Sequence, residues 1–120
     1  MNLIYLAFVL LLGLLLIAGG VAHFRIPALS DPFIPGFLPK DWVHIGVGVT
    51  ELVLGVGIFI PQLRTQAAWG IFILMLCFLP FHVMDLFREK PAIGSLKLAI
   101  IRVPFQFLFI FMAWYVAKTN

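Results

Sequence analysis

A single cysteine, Cys77, has no partner thiol, so neither a disulfide framework nor a CxxC redox pair can form within the chain. It reads as a small buried hydrophobe. Charge is scarce as well: charged residues make up 11% of the 120 positions, against 63% hydrophobic. A soluble domain of this length buries too small a fraction of its surface to hide so much apolar area, so lipid is the solvent that the composition implies. The eight basic and five acidic residues are scattered over loops with no aromatic–basic interleaving, which argues against a nucleic-acid surface. The basic excess speaks instead for topology and anionic headgroups. No HxxxH or ExxH pair falls on one apolar run, there is no dinucleotide-binding glycine loop, and no inverted repeat is visible. These absences weigh against a metal centre, a nucleotide-dependent redox domain and an alternating-access transporter.

What is present is four long apolar runs in one domain. They cover residues 3–22, 42–60, 67–87 and 95–117. At ~1.5 Å per residue, runs of this length match the ~30 Å hydrocarbon core. They are too long and too rich in Leu and Phe for membrane strands. No Lys or Arg precedes the first run, so it reads as a span rather than a cleaved signal peptide. The expected fold class is therefore all-α: a four-helix transmembrane bundle, multi-pass in the cell membrane.

The connections differ in kind. The second (Pro61 to Gln66) and third (Arg88 to Gly94) are short. The first, His23 to Asp41, is long and holds Pro27, Pro32, Pro35 and Pro39 among apolar residues such as Leu29, Phe33 and Phe37. So many apolar groups predict an interfacial lid over the bundle mouth rather than a free linker. Arg64 and Lys118 lie on the side of the termini, whereas Arg25, Lys40, Arg88, Lys90 and Lys97 lie on the opposite, lid side. The positive-inside bias puts the lid side in the cytoplasm and the termini on the non-cytoplasmic side.

Ionisable side chains within spans are costly and turn to the bundle interior. Glu51 stands roughly 13 Å below the lid side, and His44, Gly48, Glu51 and Gly55 share one face at i, i+4, i+7 and i+11. His44 itself reads as an interfacial anchor beside Trp42. His82 and Asp85 share a face of the third run after Pro80, whose missing N–H frees a carbonyl. Arg102 and Gln106 are four apart on the fourth run around Pro104, and His23 ends the first. All four runs thus bring polar groups to the lid-side half, while the other half is nearly pure Leu, Ile, Val and Phe. That asymmetry describes a polar cavity under the lid, the form a binding site takes.

Taken in order, these residues resemble the DoxX-like small membrane proteins over nearly the whole chain. The resemblance rests on Ala22-His23-Phe24 with Pro27, on Pro35 and Pro39, and on Gly46 to Glu51 with Gly55 and Gly57. It continues through Pro61, Arg64, Ala67-Ala68 and Gly70, then Pro80 with His82, and Arg102-Val103-Pro104-Phe105-Gln106. It implies a four-helix membrane bundle. Some members look like membrane subunits of sulfur or thiol oxidation systems that pass electrons to quinone, others like partners of detoxifying enzymes, and a distant animal branch like assembly chaperones for receptor channels.

The expected ligand-binding set is therefore His23, Glu51, His82, Asp85, Arg102 and Gln106. Glu51, Arg102 and Gln106 form the polar floor, and His23, His82 and Asp85 stand nearer the mouth. The ligand is a small lipophilic molecule such as a quinone, no metal is held, and no residue is singled out as catalytic. Two other readings stand beside this one. In the first, Glu51 and Arg102 form a buried ion pair that only fixes helix packing, in an accessory or assembly subunit of a membrane complex. In the second, Glu51, His82 and Asp85 relay protons. The phenylalanines at 105, 107, 109 and 111 cover two helix faces, so some face lipid, a membrane-protein partner or a second copy.

Overall fold

The computed structural model describes residues 2–119, and every regular element among them is helical. Asn2 starts the first helix, α1 (Leu3–Arg25), by accepting the Tyr5 N–H on its side-chain oxygen at 2.7 Å. The helix runs three residues past its apolar run, because the Ile26 N–H still reaches the Ala22 carbonyl at 2.8 Å. It stops there because Ile26 precedes Pro27 and is pushed out of the helical region. The connection that follows contains two 3-10 turns, Pro27–Leu29 and Asp31–Phe33, each with a proline in its opening positions.

The second helix, α2 (Lys40–Gly57), begins directly after Pro39 with Asp41 in its first turn, where a carboxylate complements the helix dipole. It ends three residues before the apolar run does. Arg64 explains the early stop: its guanidinium donates to the Ile58 and Phe59 carbonyls at 2.7 and 3.3 Å, holding the chain in a turn. The third helix, α3 (Arg64–Asp85), starts on that same arginine, and α4 (Leu96–Thr119) completes the chain. Pro80 and Pro104 both lie inside continuous helices.

Three of these helices, α1, α3 and α4, are long and apolar enough to cross a membrane. The expectation of four such runs is met in part. Although its outer face is apolar, α2 carries Lys40, Asp41 and Glu51 within only 18 residues. Lateral surfaces agree with a lipid environment, since Leu14 is 60%, Ile73 59% and Phe107 55% exposed. Apolar side chains so exposed over whole helix faces mark a membrane or an interaction surface.

α1 packs along α2 and α3 along α4, and the two pairs meet less extensively, α1 with α4 and α2 with α3. The apolar core lies entirely toward the end where α1 begins and α4 finishes. There Tyr5, Val9, Leu12 and Leu16 meet Ile71 and Met75 of α3 and Met112, Ala113 and Val116 of α4. The α1–α2 contact is close enough to need glycine. A Cβ placed on Gly55 would stand 3.0 Å from both the Ile17 backbone nitrogen and the Leu16 Cβ. Gly55→Ala is accordingly expected to force the two helices apart and to cost about 1–3 kcal/mol, measured as a lowered thermal unfolding temperature in detergent.

Candidate functional site

Opposite the apolar core, the first connection folds back over the helix ends and covers a cavity of about 350 Å³. Its volume falls in the range of small-molecule sites. Leu29, Phe33, Ile34 and Leu38 of the connection form the roof. The walls are mainly apolar, with Val43 and Val47 of α2 and Phe78 and Phe81 of α3. Four ionisable side chains converge on it, one from each helix: His23 from α1, Glu51 from α2, His82 from α3 and Arg102 from α4.

Glu51 reaches this place because its face of α2, with His44, Gly48 and Gly55, is the buried one. Its Oε2 rests against Gly19 of α1, in the space that any side chain at that position would fill. Its Oε1 faces His23 Nε2 at 3.8 Å. Among the described residues, Glu51 Oε2, an amino group of Arg102 and Gln106 Oε1 are buried with no hydrogen-bond partner, and the first two belong to residues that line the cavity. Such groups cost about 1–3 kcal/mol each when left unsatisfied. The Glu51–Arg102 ion pair that the sequence suggests is not formed. Instead the guanidinium lies over the Phe109 ring at 5.3 Å, a cation–π placement that leaves its hydrogen-bonding capacity free. His82 meets the edge of Phe33 in the roof, ring centres 5.4 Å apart.

Of the six residues read from the sequence, four therefore line one cavity and two stand elsewhere. Asp85 is 1% exposed, but its carboxylate turns away from the cavity and accepts the backbone N–H groups of Ala92 and Ile93. It shapes the α3–α4 connection. The neighbouring Arg88 lies 4.0 Å from the Asp85 carboxylate and also donates to the Pro32 carbonyl, fastening the roof. Gln106 is fully buried deeper between α3 and α4, where its amide donates to the Met75 carbonyl at 2.6 Å. It pins two helices together rather than facing a ligand.

Two residues outside the predicted set complete the site. His44 is buried rather than an interfacial anchor, at 5% exposure. Its Nε2 stands 2.6 Å from Asp31 Oδ1 in the roof, and its Nδ1 stands 2.9 Å from His23 Nδ1. The signal for His44 was present, since it lies two turns from Glu51 on one face. Asp31 carried none beyond being a carboxylate in an apolar loop. Among the described residues no group of three or more His, Cys, Asp and Glu side chains is placed to hold a metal ion. The arrangement is instead an apolar chamber with a donor, Arg102, and an acceptor, Glu51, at its polar end.

Comparison with known proteins gives one relationship. The model of a family described as a domain of unknown function, DUF8561, matches residues 12–117. No curated protein and no solved structure matches the chain.

Proposed function

The chain belongs to the DUF8561 family, and we propose that it is a four-helix transmembrane bundle that binds a small lipophilic molecule with a polar headgroup, such as a quinone, in support of a membrane redox system. The observation that carries this reading is that two of the three orphaned buried polar atoms, those on Glu51 and Arg102, belong to residues lining one apolar chamber. A quinone carbonyl accepts from the guanidinium, a quinol hydroxyl donates to the carboxylate, and the ring and tail take the apolar walls. In this reading α2 is the fourth span. Its Glu51 is turned inward away from lipid, and Lys40 and Asp41 sit at the membrane boundary. The excess of Lys and Arg on the lid side supports termini on the non-cytoplasmic side. One branch of the DoxX-like proteins that the chain resembles, the membrane subunits that pass electrons to quinone, is compatible with this reading.

The test is equilibrium binding of a short-chain benzoquinone to the protein in lipid nanodiscs. Saturable binding at one site, lost in Glu51→Gln and Arg102→Leu variants that remain folded, is the expected result. If Glu51→Gln instead unfolds the protein and the wild type binds no quinone, the polar cluster serves helix packing alone, as in an accessory or assembly subunit. Gly19→Ala is a milder probe. Its new methyl displaces only the flexible end of Glu51, so quinone affinity is expected to fall about tenfold, or about 1.4 kcal/mol, in a protein that unfolds at the wild-type temperature.

A further inference from the structure

His44 and His23 do more than line a wall. From the roof inward, Asp31 Oδ1 stands 2.6 Å from His44 Nε2, His44 Nδ1 stands 2.9 Å from His23 Nδ1, and His23 Nε2 stands 3.8 Å from Glu51 Oε1. The row runs from a side chain that is 40% exposed, Asp31, through the buried His44 and the largely buried His23, to Glu51, whose side chain is 9% exposed. We propose that Asp31, His44, His23 and Glu51 form a proton relay between the lid-side surface and the buried polar end of the cavity. Its purpose, delivering a proton to or removing one from a bound headgroup, rests on the ligand reading above. The relay itself does not.

The chemistry follows from how the two rings meet. They face each other through like nitrogens, so one must donate and the other accept, and both choices satisfy the contact. In one sense, protonated Asp31 donates to His44 Nε2, the His44 Nδ1–H donates to His23 Nδ1, and the His23 Nε2–H points at the Glu51 carboxylate. In the other sense every link is reversed. Passing from the first to the second shifts three protons by one bond each and moves one net proton from Asp31 to Glu51. Both imidazoles are neutral before and after, so when the three shifts are concerted no buried imidazolium is created, and no oxidant or reductant takes part.

The 3.8 Å step is the one open link. His23 and Glu51 both line the cavity, so the break lies beside the ligand space. The other charged or titratable groups around this path are Arg102 and His82, which face the same cavity from α4 and α3, and Arg88, which holds the Pro32 carbonyl next to Asp31. None of the three stands in the row.

The relay is tested without any quinone, so failure of the ligand reading and failure of this one are read separately. Protein in nanodiscs is given a rapid downward pH step, and the protonated-carboxyl stretch of Glu51, identified by its loss in Glu51→Gln, is followed by time-resolved infrared spectroscopy. Asp31→Asn and His44→Phe are expected to slow its appearance about tenfold or more, with the final amplitude reached eventually. Asp31→Glu is expected to restore the rate. Because Asp31 is part-exposed, Asp31→Asn keeps the test decisive if His44→Phe does not fold. Wild-type rates in folded Asp31→Asn, or the absence of any Glu51 band in the wild type, overturn the proposal.

Discussion

Arg102→Leu is expected to weaken short-chain benzoquinone binding by about 10- to 100-fold while leaving the thermal unfolding temperature of the free protein unchanged or higher. The loss follows from removing a charge-assisted donor, worth about 1.5–3 kcal/mol. The second half of the outcome is the discriminating one. A guanidinium that holds a bundle together leaves an unpaired partner charge when removed, at a cost of about 3–5 kcal/mol. Arg102 has no such partner: it forms no ion pair among the described residues, one of its amino groups is buried and unsatisfied, and its guanidinium lies over the Phe109 ring. Leucine keeps that apolar contact and removes the unsatisfied group. Opposite movements of affinity and stability therefore indicate that Arg102 is kept for a ligand, whereas parallel losses indicate a packing role. Binding isotherms and thermal unfolding on the same nanodisc preparation read both quantities.

Asp85→Ala is expected to behave in the contrary way. It should lower stability by about 3 kcal/mol, because a buried carboxylate that accepts two backbone N–H groups is replaced by a methyl that accepts none. The N–H groups concerned belong to Ala92 and Ile93, and their loss frees the short connection between α3 and α4. Trypsin cleavage after Arg88, in that connection, is expected to become faster in the variant. Asp85→Asn, which retains one accepting oxygen, should fall between wild type and alanine. If both variants unfold with the wild type, the hydrogen bonds of Asp85 contribute no net stability and the connection is held by other contacts.

The contrast between Arg102 and Asp85 shows where a sequence stops being informative. Helix content followed from the apolar runs, and the face that carries His44, Gly48, Glu51 and Gly55 followed from spacing alone, because those positions are fixed relative to one another on a rigid helix. The crossing of α1 and α2 agrees with that glycine-bearing face. How far each helix is rotated against its neighbours is not encoded in any one segment. His82 and Asp85 are three apart, yet the first faces the cavity and the second the following connection. Gln106, one turn below Arg102, lands deep between α3 and α4 instead of at the cavity. Boundaries moved for local reasons as well: the Arg64 side chain ends α2 by taking carbonyls six and five residues before it. Asp31 was out of reach because it enters the site through the fold of a proline-rich loop, which periodicity does not describe.

Native mass spectrometry of protein extracted in mild detergent, with an absorbance spectrum of the same sample, tests the central claim most directly. The account predicts one small lipophilic molecule retained per chain, of quinone-like mass and absorbance, and its loss from folded Arg102→Leu protein. A wild-type chain that carries only phospholipid, or that retains the same molecule equally well without Arg102, would contradict it.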